Sequence, residues 1–156
     1  METIMIYCDG GCRGNQNTHN IGGYGIVIYH GELVKEFYGA TENTTNNRME
    51  LLACIESLKK LKDISIPVVL TTDSRYVERG VNEWRHSWAR RGWKTSQGKP
   101  VGNLDLWKEL LWLVDRHDDI TFEHCYGHSD NEGNNRADYL VNVAMDEFLE
   151  RRDSDE

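Results

Sequence analysis

Alternating apolar and polar residues mark the first third of the chain as β structure. Ile4 and Ile6 lie on one face of a short run over residues 3–8. The segment GGYGIVIYHGELVKEFYGA holds two further β-rich runs that meet at His30 and Gly31, which is a hairpin signal. The pattern therefore predicts a three-stranded antiparallel meander.

A helical period replaces the alternation in the middle of the chain. Residues 46–61 place apolar side chains on one face of a helix, namely Leu51, Cys54, Ile55, Leu58 and Leu61. The run VVLTT after Pro67 is a short apolar strand that ends at Asp73, and residues 74–82 return to a helical pattern. A helix that leads into such a strand predicts a crossover to a parallel neighbour.

The last third of the chain predicts two longer helices and a further strand. Asn103 is a candidate N-cap for a helix whose apolar face is Leu106, Leu110, Leu113 and Val114. The run ITFEHC predicts a strand, and the final helix carries the stripe Ala137, Leu140, Val141, Ala144 and Phe148. We therefore predict an α/β fold whose mixed five-stranded sheet has three antiparallel strands, then two parallel strands, and is flanked by helices.

Length and charge narrow the possible architectures and partners. A chain of 156 residues suits one domain, which we expect over 1–150, followed by an acidic tail over 151–156 whose default role is solvation. The net charge of −8 argues against binding nucleic acid by bulk positive charge. Residues 84–100 nevertheless hold five Lys or Arg and no acid, so a basic surface is concentrated there.

The cysteines and the N-terminus indicate a cytoplasmic location. The four cysteines lack the paired spacing of a zinc site or of a secreted disulfide scaffold, so we expect reduced thiols. The start METIMIYCDGG has no basic region before its apolar pattern, and no segment is long and apolar enough to span a membrane. The expected protein is soluble, cytoplasmic and not bound to a membrane.

Four acidic residues stand where the predicted elements could bring them together. Asp9 is expected to end the first strand and Asp73 the fourth, so that parallel pairing would place both at the carboxyl edge of the sheet. Glu50 and Asp138 flank the apolar stripes of two helices. Taken singly, these acids also fit other roles. Asp9-Gly10-Gly11 could be a tight turn, Thr72-Asp73-Ser74 a helix cap, and Glu50 a charge favoured near a helix N-terminus.

Together, the four acids suggest a metal site. Carboxylates placed side by side repel one another and raise their pKa values unless a cation shares them. An all-oxygen ligand set favours Mg²⁺ or Mn²⁺ over zinc, and few protein ligands leave room for phosphate and water. The hypothesis is a metal-dependent phosphodiester hydrolase with Asp9, Glu50, Asp73 and Asp138 as metal ligands.

Five segments resemble a known family in their order and spacing. IYCDGGCRGN, TTNNRMELLACIESL, LTTDSRYV, WRHSWARRGWK and YGHSDNEGNNRADYLVN are similar to the signature segments of type 1 ribonuclease H, and the match omits only the last acidic residues. The resemblance implies the same five-stranded fold, a single catalytic domain, and endonucleolytic hydrolysis of the RNA strand of RNA/DNA hybrids. It also assigns the metal ligands to the same four carboxylates.

The resemblance implies a mechanism as well. Two Mg²⁺ ions roughly 4 Å apart, with Mn²⁺ as a possible substitute, would share the scissile phosphate and leave 5′-phosphate and 3′-hydroxyl ends. His128, ten residues before Asp138, matches a mobile histidine that assists proton transfer or product release. A lone loop histidine is more often simply solvated. The expected protein is a monomer without an obligate protein partner.

The resemblance also implies contacts with the hybrid. Tyr76 and Trp84 would line a channel for the DNA strand, Thr45 and Asn103 would hold a DNA phosphate, and three asparagines would read the minor groove and RNA backbone. The predicted nucleic-acid-binding residues are Asn15, Thr45, Asn46, Asn47, Arg75, Tyr76, Trp84, Trp88, Arg90, Arg91, Lys94 and Asn103. Alternatively, residues 44–47 cap a helix, and some tryptophans, Trp93 above all, anchor the core.

The sequence departs from the common family pattern in places. The segment GNQNTHNIGGYG is longer than the usual turn and lacks its proline, which predicts a looser Asn15 loop. Tyr126 stands where a lysine is frequent, and Arg75 where a glutamine is frequent. None of these departures removes a predicted catalytic group.

Two rival functions fit parts of the sequence. A DNA nuclease or recombinase of related fold would keep the carboxylates, but the asparagine-rich segment and the tryptophan-bearing basic segment argue against it. A non-catalytic hybrid-binding module would not need four acids that face phosphate.

Overall fold

A five-stranded mixed sheet forms the centre of the molecule, as predicted. The computed structural model describes residues 2–14, 20–127 and 130–154, so Asn15 and His128 lie outside the described residues. The strands are β1 (Ile4–Arg13), β2 (Ile21–His30), β3 (Leu33–Glu42), β4 (Val68–Thr72) and β5 (Ile120–His124), in the spatial order β3-β2-β1-β4-β5. Antiparallel pairing joins β1, β2 and β3, and parallel pairing joins β1, β4 and β5.

Helices cover both faces of this sheet. They are α1 (Asn46–Lys59), α2 (Arg75–Arg79), α3 (Arg85–Arg90), α4 (Leu104–Asp115) and α5 (Glu132–Ser154). The main apolar core lies between the sheet and helices α1 and α4, whereas α5 packs on the opposite face against β1, β2 and β3. Alternation along β1 produces these two faces, since Ile4 and Ile6 join the main core and Tyr7 faces α5.

The first strand is longer than its hydrophobic pattern indicated. β1 continues through Asp9 to Arg13, so the prediction that Asp9 ends the strand, and the alternative that Asp9-Gly10-Gly11 is a tight turn, are both wrong. The reason is that β2 pairs with β1 beyond Asp9, with Gly11 opposite Gly23. The parallel pairing with β4 does stop at Cys8, so Asp9 still lies just past that ladder.

The segment after β4 differs from a single helix over residues 74–82. Ser74 caps α2 by accepting a hydrogen bond from the Val77 amide at 3.1 Å, and a π-helical turn over Gly80–Trp84 then connects α2 to α3. A Cβ at Gly80 would lie 2.0 Å from Cη2 of Trp107. The close approach to a buried indole thus requires glycine at this turn.

The buried face of α4 is broader than predicted. Trp107 is fully buried and Leu111 joins Leu110 in the core, whereas Leu106 is only partly buried. Asn103 occupies the N-cap position with φ of 59°, but its side chain makes no capping bond, contrary to the prediction. The side-chain amide of Asn103 instead donates to the Tyr76 hydroxyl and accepts from the Arg48 guanidinium.

The structure also shows the state of the cysteines and where the last helix ends. All four cysteines are free, with Cys8 and Cys54 buried. Residues 151–154, which we expected to belong to a tail, continue helix α5. None of the helices within the described residues combines the length and apolar composition that a membrane crossing needs.

Candidate active site

Asp9 and Glu50 are brought together by a glycine. Gly10 has no Cβ, and one placed there would lie 2.4 Å from the carbonyl carbon of Met49 and 2.6 Å from the amide nitrogen of Glu50. Helix α1 can therefore press its backbone against β1 at this point. The Gly10 amide donates hydrogen bonds to Oδ1 of Asp9 at 2.9 Å and to Oε1 of Glu50, which orients both carboxylates.

Asp73 enters the same site from the end of β4. It follows Thr72, which pairs with Cys8 of β1, so Asp73 and Asp9 emerge side by side. A hydrogen bond of 3.0 Å from the Ser74 amide to the Thr72 hydroxyl shapes the turn into α2. The cap of α2 is Ser74, not Asp73, which leaves the Asp73 carboxylate available to the site.

The carboxylate oxygens form a compact group. One oxygen from each of Asp9, Glu50 and Asp73 lies within 4.8 Å of the others. Asp138, which is exposed on α5, lies near enough to Asp9 to raise the pKa of the Asp9 carboxyl. The structure thus groups three of the predicted metal ligands at one edge of the sheet, and Asp138 lies near Asp9 outside that group.

Burial and repulsion from neighbouring carboxylates disfavour the ionised forms of Asp9 and Glu50. Asp9 is 6% exposed and Glu50 9% exposed. The pKa of Asp9 is raised from 3.8 to about 8, first by burial and then by the charge of Asp73 and by Asp138, whereas the contact with Glu50 lowers it. Burial, followed by the charges of Asp9 and Asp73, also raises the pKa of Glu50 well above its ordinary value. An oxygen-only group of this kind fits a hard divalent cation, which would stabilise the ionised forms.

The raised pKa of Asp9 predicts how the stability of the metal-free protein depends on pH. Asp9 keeps its proton in the folded state up to about pH 8 but loses it near pH 3.8 once unfolded, so the folded state binds more protons in between. The free energy of unfolding should therefore fall as pH rises from about 4 to about 8, by up to about 1.4 kcal/mol per pH unit for each proton involved. Urea unfolding in chelator at several pH values measures this slope.

The Asp9→Asn variant is the control for that prediction, because its amide does not titrate. Subtracting its free energy of unfolding from that of the wild type cancels the titrating groups that do not interact with Asp9, and leaves the contribution of Asp9 together with its coupling to Glu50. We expect the difference to grow in favour of the variant as pH rises through this window. A difference that stays constant with pH would contradict the raised pKa of Asp9.

Comparison with known proteins agrees with this arrangement. A family model described as RNase H matches residues 1–146. Over 152 residues the chain is 45% identical to a ribonuclease H of Alcanivorax borkumensis, covering 97% of each protein. The chain belongs to the ribonuclease H family. The resemblance inferred from the five sequence segments is therefore confirmed.

Two solved members of the ribonuclease H family share the fold. The crystal structure of LC9-RNase H1, a type 1 RNase H with the type 2 active-site motif, has a TM-score of 0.81 and 32% identity, covering 92% of this chain and 72% of that one. The structure of LC11-RNase H1 in complex with an RNA/DNA hybrid has a TM-score of 0.68 and 28% identity, covering 94% and 99% of the two chains.

The start of α1 carries residues that we predicted to contact the hybrid. Thr45 is the N-cap of α1, where its hydroxyl accepts from the Arg48 amide at 3.2 Å, so the capping alternative describes its contact within the protein. Asn46 accepts from the amide of Cys12 at 2.8 Å, which ties α1 to β1. Asn47 is exposed one turn before Glu50. Thr45 keeps a hydroxyl hydrogen and Asn46 an NH₂ group with which to donate.

The hydrogen-bond network around Asn103 has no signal in the sequence. Its Nδ2 donates to the Tyr76 hydroxyl at 3.0 Å, and its Oδ1 accepts from Arg48 at 3.3 Å. The indole of Trp107 donates to the same Tyr76 hydroxyl at 2.8 Å. Arg48 in turn forms a bidentate pair with Asp105, at 3.1 and 2.8 Å. Arg48 and Trp107 thus position a predicted phosphate contact.

The basic segment presents a row of aromatic rings. Ring centroids are 6.0 Å apart for Tyr76 and Trp84 and also for Trp84 and Trp88, and 6.5 Å apart for Trp88 and Trp93. Trp84 is exposed, whereas Trp88 and Trp93 are partly buried against the core. The arginines and the lysine assigned to this surface, Arg90, Arg91 and Lys94, are exposed.

Arg75 and Tyr126, two positions that depart from the family pattern, contact each other beside Asp73. The Arg75 guanidinium donates to the Tyr126 hydroxyl at 3.3 Å. Sequence reasoning noted each departure but missed that they pair, because 51 residues separate them along the chain.

Proposed function

We propose that the protein hydrolyses the RNA strand of RNA/DNA hybrids at internal phosphodiester bonds, leaving 5′-phosphate and 3′-hydroxyl ends. The observation that carries this proposal is the group of Asp9, Glu50 and Asp73 oxygens within 4.8 Å on the ribonuclease H fold. The hybrid-bound complex of the similar LC11-RNase H1 supports the substrate class.

The proposed cofactor is Mg²⁺, as two ions, with Mn²⁺ as a substitute. The ligands would be Asp9, Glu50, Asp73 and Asp138, whose all-oxygen chemistry fits hard divalent metals. The raised pKa values of Asp9 and Glu50 add to this fit, since a cation would stabilise their ionised forms. When bound, such ions lower the pKa of an attacking water and stabilise charge on the leaving 3′ oxygen.

The residues of the chain itself position the reacting groups. The Gly10 amide holds one oxygen each of Asp9 and Glu50, so the carboxylates are arranged before substrate arrives. Asp138, which is exposed on α5 and raises the pKa of Asp9, would complete the ligand set. We assign His128, which lies outside the described residues, to proton transfer or product release.

The remaining contacts divide between the two strands of the hybrid. Thr45 and Asn103 keep donor hydrogens beyond those used within the protein, which suits a DNA phosphate. Trp84 and the basic residues after it provide rings for sugars and cations for phosphates. Asn46 and Asn47, together with Asn15 outside the described residues, would read the minor groove, where the 2′-hydroxyl distinguishes RNA from DNA.

We also propose domain bounds, a cellular location and an oligomeric state for the protein. We place the catalytic domain at 1–150 with an acidic segment over 151–156, and we propose a cytoplasmic monomer that needs no protein partner. A sedimentation measurement in Mg²⁺ tests the oligomeric state.

Cleavage of an RNA labelled at its 5′ end and annealed to DNA tests the proposed reaction. We expect internal cuts in Mg²⁺, none in chelator, and none when the RNA is single-stranded or paired with RNA. Ligation of the products without prior end repair checks the 5′-phosphate and 3′-hydroxyl ends.

The same assay separates the two rivals. Preference for duplex DNA would favour a DNA nuclease of related fold. Clear hybrid binding without cleavage in either metal would favour a binding module, and both outcomes would contradict the proposal.

A further inference from the structure

Tyr126 is an exposed aromatic residue at the rim of the carboxylate group. It lies two residues after β5 and is 70% exposed. Its neighbour Gly127 passes so close to the site that a Cβ there would lie 3.2 Å from Oδ2 of Asp73. Tyr126 therefore presents a large ring to solvent one residue before the backbone that passes Asp73.

The Tyr126 ring is held in place although it is exposed. The His124 ring meets it edge-on, with centroids 5.1 Å apart and planes at 88°. The Arg75 guanidinium lies 5.7 Å from the ring centroid and donates to the hydroxyl at 3.3 Å. Glu78 holds the same guanidinium by an ion pair of 3.5 Å. Such fixing lowers the conformational entropy lost on binding, so the ring is arranged for a ligand in advance.

The chemistry of this pair suits a nucleic-acid strand. A flat ring packs on bases or sugars without sequence preference, and a guanidinium binds phosphate through a fork of N–H donors.

The consecutive residues Arg75 and Tyr76 point to different sides of α2. Tyr76 faces Asn103 and Trp107, whereas Arg75 faces Tyr126. The two sides of α2 can therefore serve two different strands.

We propose that Tyr126, held by Arg75 and His124, contacts the RNA strand next to the bond that is cut. This inference rests on the proposed function, in which Asp73 lies at the RNA phosphate and Tyr76 on the DNA side. The ring packs on a ribose or base of the RNA strand, and the guanidinium of Arg75 meets a neighbouring phosphate. Tyr126 is thus a substrate-binding residue, with most of its effect in KM.

Steady-state cleavage kinetics of Tyr126→Ala in Mg²⁺ provide the first test. We expect KM for the hybrid to rise about tenfold, with a much smaller change in kcat. Tyr126→Phe keeps the ring and should raise KM by about twofold at most. Arg75→Gln should lower the slope of log KM against log salt by about one, as expected for one lost phosphate contact.

Trp112→Ala is the matched control. Trp112 is also an exposed ring, 62% accessible, with the Arg116 guanidinium 4.8 Å from its centroid, but it lies on α4 away from the carboxylates. We expect its KM to equal that of the wild type. Thermal unfolding of each variant checks that the fold is unchanged.

Photo-crosslinking assigns the strand. Hybrids with 5-iodouridine in the RNA strand, bound in chelator to prevent cleavage, should crosslink to Tyr126, and those with 5-iododeoxyuridine in the DNA strand should not. A KM unchanged in Tyr126→Ala, or crosslinks to Tyr126 from the DNA strand alone, would overturn the inference. A wild type that fails to cut hybrids would instead overturn the proposed function.

Discussion

The Asp73→Asn variant should lose hybrid cleavage by roughly 10³-fold or more, while its hybrid binding changes little. Asp73 has carboxylate oxygens within 4.8 Å of those of both Asp9 and Glu50, so an amide there removes a charged ligand from the centre of the proposed metal site. Single-turnover cleavage measures the chemical step, and fluorescence anisotropy of a labelled hybrid measures binding.

Asp119→Asn is the control for that loss. Asp119 is an exposed aspartate just before β5, at the opposite edge of the sheet from the carboxylate group. Its removal changes the net charge of the protein by the same amount as Asp73→Asn, and we expect cleavage at the wild-type rate. Turnover by Asp73→Asn within tenfold of the wild type would show that the site is misassigned.

The second large effect is expected at Gly10, which has no charge and no side chain. Gly10→Ala should lower the free energy of unfolding by about 3 kcal/mol or more. The new methyl group would meet the backbone of Met49 and Glu50 at 2.4 to 2.6 Å, and a helix backbone cannot rotate away as a flexible side chain can. Urea unfolding in chelator measures the loss.

The neighbouring glycine gives a matched comparison. A Cβ at Gly11, on the same strand, would meet its nearest atoms at 3.8 and 4.0 Å, which are ordinary contacts. Gly11→Ala should therefore keep the stability of the wild type within about 1 kcal/mol. Equal stability of the two variants would contradict the close approach of α1 to β1.

Loss of cleavage in Gly10→Ala should exceed what its lost stability explains. The Gly10 amide orients both Asp9 and Glu50, so pushing α1 away also separates two proposed metal ligands. Under conditions where the variant remains folded, we expect its cleavage to need more Mg²⁺ than that of the wild type. An unchanged Mg²⁺ requirement would mean that the helix shifts without moving Glu50.

Stability and function oppose each other at this site. Burial raises the pKa values of Asp9 and Glu50 because folding removes their carboxylates from water, and the neighbouring carboxylates add to the effect. The two buried carboxyl groups therefore lower the free energy of unfolding of the metal-free protein. A divalent cation that binds the folded form would raise it again.

The sequence by itself determined the fold class, the sheet and the family. Alternation in β1 to β3, the helical period of α1 and the apolar run of β4 are local consequences of which side chains face the core, so they can be read along the chain. The same patterns placed Asp9, Glu50, Asp73 and Asp138 near one edge of the predicted sheet. Five motif segments then sufficed to identify the ribonuclease H family, which the comparisons confirm.

Tertiary structure decided what depends on residues far apart in sequence. Asp9-Gly10-Gly11 has the local pattern of a turn, and only pairing with β2 and contact with α1 keep it extended. Asn103 has the pattern of a cap, yet Tyr76 and Arg48 take its side chain. Local propensity differs between such alternatives by about 1 kcal/mol, so a few long-range contacts outweigh it. For the same reason, the pairing of Arg75 with Tyr126 exists only once β5 lies beside α2.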